Sequence, residues 1–92
     1  MIRSFACKDT QDFYGGKRVP RFVSVQSAAV RKLTMLTAAV ELKDLRSPPG
    51  NRLEALTADR AGQHSVRIND QWRICFIWTD DGPAEVEIVD YH

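Results

Sequence analysis

Nine side chains in this 92-residue sequence stand out as candidates for chemistry: Arg52, Glu54, Arg60, His64, Arg67, Arg73, Asp90, Tyr91 and His92. The alternation of the sequence places all of them on, or at the edges of, one small sheet. Arginine suits phosphate, because its planar fork gives two parallel charge-assisted hydrogen bonds. Histidine exchanges a proton near neutral pH, a carboxylate accepts one, and tyrosine donates a hydrogen bond or stacks on a base. Glycine-rich phosphate loops, nucleophile-elbow serines and metal-ligand spacings are all missing from the sequence. Cations beside acid–base groups, with no metal ligands, fit metal-free RNA cleavage. In that reaction the ribose 2′-OH attacks its own phosphate, a base takes its proton, an acid protonates the leaving 5′-oxygen, and arginine holds the phosphorane charge. Each residue also has a structural reading. Arg73 can cover sheet surface, Asp90 can pair with Arg67 or Arg73, and a terminal Tyr-His can be inert.

The elements that must position these residues begin with the stretch Gly62 to His92. Its period-2 alternation predicts three strands, joined at Asn69-Asp70 and at Asp80-Asp81-Gly82-Pro83. In the middle strand Trp72, Ile74, Phe76 and Trp78 face one way, as a core face. Arg73, Cys75 and Ile77 face the other, which is expected to be concave and partly open. His64 shares the core face with Val66 and Ile68 and is expected to be a half-buried structural side chain. Upstream, Ile2–Phe5 reads as a short first strand and Thr10–Tyr14 as one helical turn stopped by Gly15-Gly16. Lys17–Arg21 reads as a solvated basic loop. A helix from about Phe22 to Ala39 carries the stripe Val25, Ala28, Ala29, Leu33, Leu36 and Val40, with Ser24 as N-cap. Glu41–Leu45 adds a turn, Arg46-Ser-Pro-Pro-Gly50 breaks the helix, and Arg52–Leu56 forms a strand. Thr57–Ala61 is a polar loop. Helices gathered early and strands late predict an α+β domain with a mainly antiparallel sheet, occupying residues 1–92 as one unit.

Composition narrows the class. Hydrophobic content of 43% and charged content of 27% are ordinary for a folded domain, and no apolar run approaches the ~20 residues of a membrane helix. The start shows no signal-peptide pattern, so a cytoplasmic location is expected. Cys7 and Cys75 are expected to be free thiols, with no metal and no cofactor. The formal charge of +1 conceals an asymmetry: residues 1–73 hold all 13 Lys and Arg against seven acids, and residues 74–92 hold five acids and no Lys or Arg. A basic body suggests a surface that meets a polyanion.

The residues Met1–Phe5, Leu45–Leu56, Arg60–Gly62, Ser65–Phe76 and Val86–His92 carry a further signal. In them the run Val66-Arg-Ile-Asn-Asp-Gln-Trp-Arg-Ile74 is followed at the end by Asp90-Tyr-His92, and the chain resembles the HigB-type toxins of the RelE superfamily, particularly the GraT-like branch. The resemblance covers about half the chain, spread over its length. It implies a small microbial-RNase-like α+β fold and a toxin of a type II toxin–antitoxin pair that enters the ribosomal A site and cleaves mRNA there. It matches Arg73 to the arginine that contacts the scissile phosphate, Asp90, Tyr91 and His92 to the C-terminal catalytic cluster, and Arg67 to a second basic position. Arg52 and Arg60 are expected to add RNA contacts. This chain also departs from the pattern. Many HigB toxins carry a His and a Lys in the stretch that here reads Arg52–Thr57, where Glu54 and Thr57 stand instead. Glu54 is a candidate base with His92 as the acid, or a structural partner of Arg52 or Arg73; a weaker or more selective nuclease is expected.

The resemblance implies a helix-turn-helix antitoxin of the HigA type as partner, with DNA reached only through that antitoxin. A different class of function competes: a toxin that binds and blocks a host target without cutting RNA, as ParE-type relatives do with gyrase, or one that binds ribosomal RNA.

Overall fold

The computed structural model describes residues 1–90; Tyr91 and His92 lie outside the described residues. Two α-helices, α1 (Lys8–Tyr14) and α2 (Gln26–Ala38), precede four strands, β1 (Glu54–Ala55), β2 (His64–Arg67), β3 (Trp72–Thr79) and β4 (Gly82–Asp90). The strands form one antiparallel sheet in the order β1-β2-β3-β4. This is the α+β arrangement expected from the sequence.

The core joins one sheet face to α2. Val25, Ala29, Leu33 and Leu36 of the helical stripe meet Val66, Ile74, Phe76 and Ile88 of the sheet, all buried. Phe22 sits edge-on between Phe13 and Trp72, with centroids 5.5 and 5.6 Å away, which orders the aromatic end of the core. Val40 falls outside the stripe and is 83% exposed, because α2 ends at Ala38 and Ala39 turns to extended backbone. The helix also starts later than expected. Pro20, whose fixed φ and missing N–H suit a first turn, opens a 3-10 helix over Pro20–Val25. Ser24 lies inside it and caps nothing; the N-cap of α2 is Val25, without a side-chain bond. Lys17 and Arg21 pair with Asp12 and Asp9 at 3.6 and 2.9 Å.

The first strand contracts to a single parallel bridge between Phe5 and Val86. Its neighbours still bond to β4: Arg3 N–H to the Pro83 carbonyl at 2.8 Å and Ala6 N–H to the Val86 carbonyl at 3.0 Å. A bulge in β4 limits longer pairing, for the β3–β4 register shifts between Cys75 and Ile77 and Glu85 has a φ of 51°. Gly82 is required where it stands. Its φ is 122°, and a Cβ there would lie 2.5 Å from the Met1 carbonyl oxygen.

The connection before the sheet is tied down by one residue that pattern reading passed over. Asn51 is 1% exposed; its amide donates to the carbonyls of Leu45 (3.1 Å) and Ser47 (3.3 Å), and its oxygen accepts from Lys32 Nζ. Before it, Leu42–Arg46 forms a 3-10 helix in which Asp44 accepts from the Val40 and Glu41 amides at 3.0 Å. Those two bonds favour the carboxylate and lower the Asp44 pKa. The Arg52–Leu56 strand shrinks to Glu54–Ala55, because Arg52 adopts the left-handed conformation (φ 46°) that closes the 3-10 turn Pro49–Asn51.

Candidate active site

The site is built around Arg73. Cross-strand register sets Arg67 opposite Arg73, Ser65 opposite Cys75, and Glu54 opposite Ser65, so these side chains share the sheet face turned away from α2. That face was expected to be concave and partly open. It is closed over its middle, where Arg73 is 8% exposed and Cys75 fully buried, and it opens further along β3 at Ile77 and at the edge at Glu54. The reason is local. Burial of a guanidinium requires partners for its donors. Ser65, itself buried, accepts from Arg73 Nε at 2.8 Å, and the Arg52 carbonyl accepts from Nη2 at 2.7 Å. The left-handed turn at Arg52 therefore supplies an acceptor to Arg73, a conformation that costs roughly 1 kcal/mol in a non-glycine residue. The Glu54 carboxylate stands 3.7 Å from Nη2 and is half exposed, on the solvent side of the buried cation.

Two arginines facing each other across β2 and β3 repel. Each has a carboxylate beside it: Asp70 bonds Arg67, and Glu54 pairs with Arg73. Lys32 adds a third cation from α2. Its pKa is lowered, first by desolvation and then by the neighbouring charges of Arg31 and Arg67. Its ammonium is held by the Asn51 side-chain oxygen, a contact that helical spacing does not signal.

At the far side of β3, Asp90 pairs in register with Trp72 and accepts a hydrogen bond from Gln71 Nε2 at 3.0 Å. The turn before Gln71 is held by Asn69, whose Oδ1 accepts from the amides of Gln71 (2.9 Å) and Trp72 (2.8 Å). Arg67 and Arg73 thus lie at this end of the sheet on the face turned away from α2, whereas Asp90, opposite Trp72, belongs by register to the other face. Tyr91 and His92, named from the sequence as its partners, lie outside the described residues.

The remaining candidates are placed elsewhere. Arg60 donates to Gln63 at 3.0 Å and pairs with Glu87 at 3.5 Å, towards the Cys75 end of the face. Arg52 contributes its backbone, while its side chain projects from the exposed turn. His64 is half-buried on the core face as expected, and its ring lies nearly parallel to Phe76 with centroids 6.3 Å apart. Both cysteines are free; Cys7 caps α1 by accepting from the Thr10 amide, and burial raises the pKa of Cys75. No group of three His, Cys, Asp or Glu that could hold a metal occurs among the described residues.

A buried arginine with fixed orientation, a solvent-side carboxylate beside it and further cations around suits a phosphodiester better than a small neutral ligand. The family comparison decides the class. Residues 3–92 match the model of the HigB-like toxins, described as RelE-like toxins of the type II toxin–antitoxin system HigB. The chain belongs to the HigB-like toxin family. It is 40% identical over 94 residues to Toxin HigB-1 of Vibrio cholerae, covering 100% of this chain and 98% of that one. An uncharacterized Haemophilus influenzae protein is 44% identical over 46 residues, which cover 50% and 46% of the two chains. Among solved structures, the YoeB–YefM complex of Staphylococcus aureus matches with a TM-score of 0.64 at 17% identity, covering 100% of this chain and 98% of that one. A heterotetrameric YoeB–YefM toxin–antitoxin complex from the same organism gives 0.63 at 17% identity, with the same coverage. At that identity the likeness is one of fold. This HigB-like chain is therefore a RelE-like toxin of a type II system, and toxins of this family are ribonucleases.

Proposed function

We propose that this HigB-like toxin is a ribosome-dependent, metal-independent mRNA endonuclease that acts in the cytoplasm as a single domain. In this reading it enters the ribosomal A site and cuts the message there. The Glu54 carboxylate takes the 2′-OH proton, O2′ bonds to phosphorus, and the P–O5′ bond breaks as His92 protonates the leaving oxygen. A 2′,3′-cyclic phosphate and a 5′-hydroxyl result. Arg73 stabilises the charge of the phosphorane, Asp90 and Tyr91 complete the C-terminal cluster, and Arg52, Arg60 and Arg67 contact the RNA backbone. The observation that carries this reading is the fixed guanidinium of Arg73, held on Ser65 and the Arg52 carbonyl with Glu54 3.7 Å away. A group held before substrate arrives pays no reorganisation at the moment of reaction.

The partner in this reading is a helix-turn-helix antitoxin of the HigA type, consistent with the toxin–antitoxin complexes among the fold relatives. Binding neutralises the toxin, and the complex represses its own promoter through the antitoxin's DNA-binding domain. The competing reading, a toxin that blocks gyrase or ribosomal RNA without cutting, draws support from the burial of Arg73, which gives that cation a structural occupation. Cleavage of mRNA in a purified translation system separates the two. The wild type should cut, and Arg73→Ala and a chain lacking His92 should not. Growth arrest by a wild-type protein that leaves mRNA intact would establish the blocking toxin.

A further inference from the structure

On the sheet face opposite Arg73, a cleft of about 400 Å³ lies between the 3-10 helix Leu42–Arg46 and the start of the sheet. Leu42, Leu53, Ala55 and His64 line it, and Lys43 and Arg46 stand among them as cations. Register fixes its side: Ala55 is opposite His64, and His64 is opposite Phe76, a core residue. The cleft is used by none of the chemistry described above. Three features point to its occupant. First, it opens beside β1, the edge strand of the sheet, and an edge strand is a template for a further strand. Second, its walls are largely apolar while its cations Lys43 and Arg46 are exposed, with Lys43 pairing with Glu41 at 3.3 Å. Third, His64 Nδ1 is buried with no hydrogen-bond partner among the described residues. A buried polar atom of this kind is normally paired.

We propose that this cleft and the edge of β1 are the docking site of an extended acidic segment of the antitoxin. The segment adds a strand to β1 and sets an apolar side chain between Leu42 and Leu53. Its carboxylates meet Lys43 and Arg46. The proposal rests on the toxin–antitoxin reading above. RNA is a poorer match for the same cleft. Unpaired bases are bound on exposed aromatic faces, and the one ring lining this cleft, His64, is already stacked against Phe76. Docking here leaves Arg73 uncovered by the cleft itself. It places the added strand next to Glu54, the neighbour of Ala55 and the ion-pair partner of Arg73.

The test uses the purified complex of the toxin with its HigA-type antitoxin. Hydrogen exchange of the Ala55 amide should slow at least tenfold from free toxin to complex. The double variant Lys43→Glu with Arg46→Glu, at two exposed positions away from the core, should bind the antitoxin at least tenfold more weakly. Its melting temperature and its mRNA cleavage should match the wild type. Unchanged Ala55 exchange in the complex overturns the proposal, whatever the fate of the variant. So does a variant that keeps full antitoxin affinity, or one that loses mRNA cleavage and not antitoxin binding, which would assign the cleft to RNA. A wild-type toxin that no antitoxin neutralises is a separate result and refutes the toxin–antitoxin reading.

Discussion

Replacing Glu54 by Gln separates two roles for that carboxylate by size of effect. The side chain keeps its shape and its accepting oxygen and loses only charge and basicity. As an ion-pair partner it has little to give. Two unit charges at 3.7 Å interact by about 1 kcal/mol in water and about 4 kcal/mol at an effective dielectric of 20. Glu54 is 55% exposed, so the lower figure applies, and exposed pairs typically contribute ~0.2–1 kcal/mol. Arg73 keeps Ser65 and the Arg52 carbonyl in the variant. Denaturation of Glu54→Gln should therefore shift the midpoint by at most about 4–8 °C, the change expected for ~1 kcal/mol in a chain of this size. As the general base it has far more to give, because removing one slows the chemical step roughly 10²–10⁴-fold. The assay is single-turnover mRNA cleavage on purified ribosomes, with melting measured on the same preparation. A variant that melts within that range and cuts more than a hundredfold slower identifies the base. A rate within threefold of wild type refutes it and leaves Glu54 as a structural partner. A faster variant would mean that the carboxylate competes with phosphate for Arg73.

Ser65→Ala removes an acceptor from a buried cation and should cost about 1.5–3 kcal/mol in chemical denaturation; a loss under ~0.5 kcal/mol would show that the hydroxyl does not hold Arg73. Asn51→Ala strands the carbonyls of Leu45 and Ser47 and should destabilise by about 2–3 kcal/mol, with proteolysis of the 45–52 connection appearing first. Gly82→Ala forces a side chain onto the Met1 backbone at positive φ and should lower the melting temperature, with the Arg3–Pro83 amide bond losing exchange protection. Burial raises the Cys75 pKa above its ordinary 9.0, so the folded chain holds a proton that the unfolded chain releases. This contribution is fully present below pH 9.0 and is lost as pH rises through the higher folded value; Cys75→Val should flatten that alkaline decline in denaturation curves.

The period-2 pattern made the sheet legible, because each strand of the meander has one buried face and a one-residue slip would expose it. Trp72, Ile74 and Phe76 are buried where alternation placed them. The same logic misjudged Arg73. Alternation assigns a polar residue to the outer face and says nothing of what covers that face. The cover comes from a left-handed turn at Arg52 and a serine on the next strand, neither of which leaves a periodic trace. Asn51 was equally silent, being a single amide that binds two carbonyls and a lysine. The short first strand was overestimated for a related reason: Ile2–Phe5 has strand composition, but the bulge at Glu85 leaves one bridge to pair with.

These particulars bear on the departure at Glu54 and Thr57. Glu54 sits opposite Ser65 and beside Arg73, so a charge change there acts directly on the guanidinium. Thr57 lies beyond the strand, in the approach to the 3-10 turn Ala58–Arg60, where its carbonyl accepts from the Arg60 amide at 3.1 Å. A cation at 57 would share a cleft with Glu54, the partner of Arg73, whereas Arg67 already supplies positive charge directly across the strands from Arg73. The electrostatic demand of a phosphorane can therefore be met in this chain from β2. On that argument Arg67→Gln should impair cleavage more than Thr57→Lys improves it, and the reverse ranking in single-turnover assays would return the missing cation to the β1 loop.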